Sequence, residues 1–253
     1  MTNRILLLSF VLLFALSCKK ETPMSFASET ITEADMAICK NVSCPEVTVS
    51  YVEIFGDEII SEKINTKIKS YILNALYLGD EENDPQATSI TEAISGFIEM
   101  YRTDKDEFPD MVGEYFAEVS VREDYVSDML ISFEMRTYLF TGGAHGYGST
   151  IFMNINPLSG EEIPTEKLFK DKTAFTAFAE KKFREAYQIG EDEPINNTGF
   201  WFEDDVFSLP ETIGFTEENV ILRYNQYDIA SYADGPIELE IPLQEALPYL
   251  TVK

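Results

Sequence analysis

The sequence is short of several residue types, and each shortage closes off a class of chemistry. It has one histidine, His145, one tryptophan, Trp201, and three cysteines. That histidine, even together with Cys39 and Cys44, falls short of the four ligands a structural zinc takes, so no metal site is expected. Basic residues are scarce too: 19 Lys and Arg stand against 45 Asp and Glu, for a formal net charge of −26. Such a field repels nucleic acid and anionic lipid surfaces and favours cationic partners, so a nucleic-acid role is not expected. Beyond the first 17 residues no apolar segment approaches the roughly 20 residues of a membrane span. There is no repeat of fixed period, no phosphate loop and no G-x-S-x-G elbow, and no motif calls for a cofactor.

What is present begins with an export signal. "MTNRILLLSFVLLFALS" carries one positive charge, Arg4, and an apolar run from Ile5 to Leu16, the pattern of a secretory signal peptide over residues 1–17. Small Ser17 precedes Cys18, and "ALSC" resembles the bacterial lipobox, which implies cleavage before Cys18 and a lipid anchor on that cysteine. Residues 18–37, polar and unpatterned, read as a tether. Lys19, in place of the aspartate associated with inner-membrane retention, points to the outer membrane. An oxidising compartment makes a Cys39–Cys44 disulfide the expected state of "ICKNVSC", stapling the loop before the first strand.

With 18 Phe and 13 Tyr the remaining chain is rich enough in apolar surface to bury a core. "EVTVSYVEIF", 46–55, reads as a strand, and Ile59, Ile60, Ile64, Ile68, Ile72, Leu73 and Leu76 at helical spacing predict a helix over 57–78. "GDEENDPQA" follows as a loop; Asp80, Glu82 and Asp84 alternate as calcium ligands would, but Pro85 stands where such a loop needs glycine. A second helix is predicted over 89–103. "GEYFAEVSVREDYV" and "MLISFEMRTYLFT" alternate in polarity and should pair as a long antiparallel hairpin, and a third strand is predicted over 148–156. Helices are predicted at 164–169 and 173–187. Two short strands around Glu217-Glu218-Asn219, another strand and a short helix close the chain. Strands grouped with strands, without sustained βαβ alternation, predict an α+β fold, a mainly antiparallel β-sheet packed with helices, as one compact unit or two subdomains divided into 38–145 and 146–253.

The chemistry is harder to read. In "TGGAHGYGS", 141–149, the glycines allow positive φ and close approach, so the stretch reads as a tight turn beside a binding surface. His145 there could act as acid or base near neutrality, but it has no recognisable nucleophile or metal partner. Glu203, Asp204 and Asp205 beside Trp201 offer carboxylates near an aromatic ring, a pattern shared by sugar sites and by core aromatics next to a solvated charge run. Thr141, Gly142, Gly143, His145 and Tyr147 from the turn, with Tyr224, Tyr227 and Tyr232 from "RYNQYDIASYADG", are the candidates to line a groove.

The pairing of "YLFTGGAHGYGSTIFMNINPLSGEEIPTEKLF" with "IGFTEENVILRYNQYDIASYADGPIELEIPLQEAL" resembles the extracytoplasmic domain shared by the anti-sigma factor RsiV and the amino-terminal part of the peptidoglycan deacetylase PdaC. The likeness runs over about residues 40 to 250. It implies a sensory or binding module at the cell envelope: the RsiV domain binds lysozyme, and in the deacetylase catalysis belongs to a separate metal-dependent domain. Here there is neither room for that domain nor a second histidine to ligate its metal. The expectation is therefore a lipid-anchored module that binds peptidoglycan or a cationic protein such as lysozyme. The alternative is a glycan hydrolase or deacetylase-like enzyme using His145 and a nearby carboxylate.

Overall fold

The computed structural model describes residues 23–79, 85–110 and 113–252. The expected signal peptide, the anchor Cys18 and the acidic loop of Asp80, Glu82 and Asp84 lie outside the described residues. Among the described residues no helix is long and apolar enough to cross a membrane.

The fold is α+β with two sheets. Strands β1 (Ser25–Thr32), β2 (Glu46–Phe55), β3 (Phe116–Val126), β4 (Ile131–Phe140) and β5 (Tyr147–Ile155) form the first sheet in that spatial order. Helices α1 (Glu58–Ala75) and α2 (Ile90–Glu107) connect β2 to β3. That connection is a crossover, so β2 and β3 run parallel, while β1–β2, β3–β4 and β4–β5 are antiparallel. The first sheet is thus mixed and mainly antiparallel, as expected, with β2–β3 the one parallel pairing in it. The second part of the chain holds α3 (Lys172–Tyr187), then β6 (Ile213–Phe215), β7 (Asn219–Tyr224) and β8 (Ile237–Pro242) as an antiparallel sheet, and the short α4 (Leu243–Ala246).

The three long helices α1, α2 and α3 start where the sequence supplies a cap. The Asp57 carboxylate accepts from the amides of Ile59 and Ile60, Ser89 Oγ from Glu92, and Asp171 from Ala174, satisfying donors that the first turn leaves open. Ile64, Ile68 and Ile72 of α1, spaced four apart, fall on one buried stripe and pack with Ile94, Phe97 and Ile98 of α2 against one face of the first sheet. A second core lies between α3 and the second sheet, built on Phe175, Ala179 and Phe183.

Two expectations change, and a third meets the sheet. Residues Ser25–Thr32 fall within the expected tether but form β1, an edge strand that pairs along its whole length with β2. Its side chains are mostly exposed or half-buried, so it lacks the apolar alternation that marks a strand in a sequence. The helix predicted at 164–169 is a single 3₁₀ turn, Thr165–Lys167, after which Phe169 bridges to Leu250 and the chain extends. The expected division at 145/146 falls just before β5, which pairs with β4 and carries the first sheet on to Ile155.

Cys39 and Cys44 are disulfide-bonded, with Cα atoms 5.8 Å apart. Arg102 of α2 donates to Ile38 O at 2.9 Å and approaches Cys44 Sγ at 3.3 Å, tying the stapled loop to the helical layer.

Candidate functional site

Period-two alternation gives β3, β4 and β5 two unlike faces. Ala117, Val119 and Val121, Ile131, Phe133 and Met135, and Met153 and Ile155 belong to the core under α1 and α2. The opposite face carries Glu118, Ser120 and Arg122 on β3, Ser132, Glu134 and Arg136 on β4, and Thr150, Phe152 and Asn154 on β5, brought side by side by the strand register. The second sheet docks on this polar face through hydrogen bonds. Asn154 Nδ2 donates to Ile213 O at 2.8 Å, the Phe215 amide to Ser132 Oγ at 3.2 Å and the Phe152 amide to Thr212 Oγ1 at 3.0 Å. Asn225 completes the docking at Thr150: its Oδ1 accepts from the Thr150 amide at 2.8 Å and its Nδ2 donates to the Thr150 carbonyl at 3.0 Å. This side-chain amide satisfies both backbone groups at the open edge of β5, where an unpaired strand would invite association.

Where the two parts diverge beyond Asn225, a cleft of about 330 Å³ opens. Its floor is the polar face, with Glu118, Ser120, Arg136 and Tyr138, and its far wall is Arg223 and Gln226. Gly148 leaves the floor open, because no side chain rises there between Tyr138 and Gln226. The volume is at the low end of the range for small-ligand pockets and suits one or two sugar or amino-acid residues.

The three arginines around the cleft differ in partnership. Arg122, outside it, is held by Asp124 at 2.9 Å and Glu134 at 3.1 Å. Burial raises the Asp124 carboxyl above its ordinary value, against the opposing pull of Arg122. Arg223 pairs with Glu238 at 2.8 Å, while its buried Nε has no hydrogen-bond partner. Arg136 is exposed and, among the described residues, makes neither a hydrogen bond nor an ion pair. A larger hollow of about 540 Å³ between the end of α1 and α2 is lined by Leu73, Leu76, Phe97 and Met100 and offers little to orient a polar ligand.

The glycine turn borders the cleft through Tyr138. A Cβ on Gly146 would collide with the Tyr138 ring and lie 2.9 Å from Leu139 O, so the turn closes only on glycine there. Gly142 and Gly143 adopt φ of +92° and +98° with open space around them, and need glycine for conformation. Thr141 is exposed beside them, and Tyr147 is exposed at the start of β5. The His145 ring stacks on Tyr232 at 4.0 Å between centroids, and Tyr232 in turn lies 5.7 Å from Tyr227. Gly146 O accepts from Tyr232 Oη at 3.0 Å and lies 3.1 Å from His145 Nδ1. The fold thus gathers His145, Tyr227 and Tyr232 with the turn.

Tyr224 is apart from them. It is 2% exposed in the second core, donates to Ser208 O at 2.6 Å, and burial pushes its hydroxyl far up. Among the described residues the His145 ring forms no hydrogen bond to a carboxylate or hydroxyl. Of the acids beside Trp201, Asp205 accepts from the Asn196 amide at 2.9 Å, and Asp204 and Asp205 hold positive φ in a short 3₁₀ turn. Phe202 points into the core while Trp201 is 47% exposed, and the Trp201 amide donates to Ile229 O at 3.0 Å. His145→Ala removes a ring stack and one hydrogen bond from an exposed turn, so a fully folded variant destabilised by about 1 kcal/mol is expected. A thermal melt would check it, and failure to fold would show the turn to be more central than its exposure indicates.

Comparison with known proteins fits this two-part build. Residues 38–147 match the family model described as "Deacetylase PdaC", and residues 166–244 match the one described as "Protein of unknown function (DUF3298)". The chain carries a PdaC domain followed by a DUF3298 domain. A crystal structure of a DUF3298 family member from Bacteroides fragilis superposes with a TM-score of 0.67 at 20% identity, covering 91% of this chain and 94% of that one. A DUF3298 family protein from Pseudomonas aeruginosa superposes at 0.57 with 17% identity and the same coverage. At these identities the likeness concerns the fold. No curated protein matches. The PdaC match holds the disulfide and strands β2 to β4, the DUF3298 match holds α3 to β8, and the cleft draws residues from both. The PdaC domain and the disulfide both suit an extracytoplasmic setting.

Arg136, Arg223 and Gln226 were not among the residues that the sequence singled out. The available signal was the face Ser132-Glu134-Arg136 on a strand whose other face carries Ile131, Phe133 and Met135, in a chain with few bases.

Proposed function

We propose that the protein is a lipid-anchored binding module of the cell envelope whose ligand is peptidoglycan. The observation that supports this reading is the cleft between the PdaC and DUF3298 domains. It is concave, polar and of saccharide size, lined by hydroxyl, amide and guanidinium groups with Tyr138 at its side. The arrangement suits binding better than turnover, because the one histidine is occupied in stacking on Tyr232 and closing its turn. The lipobox-like "ALSC" supports an anchor at Cys18.

The test is co-sedimentation of the full chain, kept in detergent, with purified sacculi, the supernatant being inspected by mass spectrometry. The protein is expected to pellet without releasing fragments. Protein left in solution would sink the peptidoglycan reading, and new fragments would replace it with the enzymatic one. The net charge of −26 favours a second reading, a strongly basic protein of lysozyme type as partner. Association that vanishes near 1 M salt, where the screening length is about 3 Å, would mark that contact as charge alone.

A further inference from the structure

We propose that the cleft between the two domains is a carboxylate-binding site, with Arg136 supplying the charge and Arg223 a second donor. The proposal rests on the peptidoglycan reading and specifies which part of that polymer is held: the acidic peptide stem, in preference to neutral sugar.

Three observations converge. Among the described residues Arg136 is a cation without a carboxylate partner, in a chain where acids outnumber bases by more than two to one, and it stands on the floor of a concave site. Arg122, on the adjoining strand two register positions along, shows how this sheet treats an arginine that serves structure: two carboxylates hold it, at 2.9 and 3.1 Å. Across the cleft the Arg223 Nε is buried without a hydrogen-bond partner although the other side of the guanidinium is fixed by Glu238. A buried donor left open in this way costs free energy, and the Arg223 side chain that carries it lines the same cleft.

Arginine is the side chain best shaped for a carboxylate, because its planar fork can give two parallel bonds. Glu118 lines the same floor and would oppose an anion, but no ion pair joins it to Arg136. It would instead repel a ligand seated one position off, which gives the site a register. Ser120 and Gln226 are free to bond the polar groups next to the carboxylate. The absence of a side chain at Gly148 gives that ligand its room, since a Cβ there would meet Tyr138 at 3.4 Å and Gln226 at 3.7 Å without colliding.

The experiment is calorimetric titration of the full chain in detergent with three soluble probes: a muropeptide with free carboxylates, the same muropeptide with its carboxylates amidated, and a neutral N-acetylglucosamine oligomer. The free-acid probe is expected to bind at least about ten-fold more tightly than the amidated one, the size of one charge-assisted contact. Arg136→Ala should abolish that preference and Arg136→Lys restore part of it, while Gly148→Val, filling the floor without backbone strain, should weaken all binding in the cleft. Circular dichroism confirms that each variant is folded. Binding of the free acid unaffected by Arg136→Ala and Gly148→Val would overturn the site and leave the peptidoglycan reading standing. Equal binding of acid and amide overturns the carboxylate preference, and no binding of any probe overturns both.

Discussion

Truncating Phe183 to alanine is expected to lower the unfolding free energy by about 3–5 kcal/mol, the upper range for a buried ring. Phe183 has no exposed surface and lies at the centre of the second core. Its ring centroid is 4.5 Å from Tyr187, 5.0 Å from Phe200, and 5.4 Å from both Phe202 and Phe207. These neighbours come from the same helix and from the loop that follows it, so one ring joins segments that no backbone ladder connects. The cost depends on how far the surroundings can collapse, and here they are pinned. Phe202 is held by a reciprocal pair of bonds with the Asn196 side chain, 2.8 and 2.9 Å, and Tyr224 by its bond to Ser208 O. A cavity should therefore remain. Urea denaturation of the variant checks this, and a loss below about 1 kcal/mol would mean that the loop from 195 to 209 closes over the gap.

The same cluster shows where the sequence was readable. Phe175, Ala179 and Phe183 recur at spacing four, so α3 and its buried stripe were visible as a pattern. The strand at 46–55 was visible as a β-branched run, and the hairpin of β3 and β4 from its alternation, with Ala117, Val119 and Val121 on one side of β3 and Ile131, Phe133 and Met135 on one side of β4. What pattern could not supply was partnership. Ser25–Thr32 became a strand only because β2 offers it an edge, and its own side chains are those of a loop. The parallel pairing of β2 and β3 follows from the two-helix crossover between them, which pattern does not reveal.

The candidate site divided along the same line. The stacking of His145 on Tyr232 joins residues far apart in the chain, yet both lie in segments that stood out for glycine and tyrosine content. Tyr224 stood out equally and is a core residue, because β7 alternates and its inward positions are filled by Val220, Leu222 and Tyr224. Arg136 and Arg223 did not stand out at all. A lone arginine on a strand reads as solvated surface until a second domain is laid across the sheet, and the docking that creates the cleft runs through Asn154, Ser132 and Asn225, polar residues with no local signature.

That docking also explains the second large effect. Gly214→Val should destabilise the protein by about 1–3 kcal/mol or more through overpacking, although the position is a single residue on a three-residue strand. A Cβ on Gly214 would sit 2.7 Å from Phe152 Cγ and closer still to that ring's edge atoms. The ring is 3% exposed between the two sheets. Neither side can withdraw easily. Hydrogen bonds from Asn154 to Ile213 O and from the Phe215 amide to Ser132 fix β6 on both flanks of Gly214, and the Phe152 amide is itself bonded to Thr212. Glycine is thus required here for space, since its φ is not in the left-handed region, which sets it apart from Gly142 and Gly143. A double-mutant cycle separates this cause from a general loss of strand propensity. Phe152→Ala alone should be costly, but combined with Gly214→Val it should cost less than the sum, because the added methyls occupy the space the ring vacates. Strict additivity would mean that the clash is relieved elsewhere and that the close approach of the two sheets does not depend on this glycine.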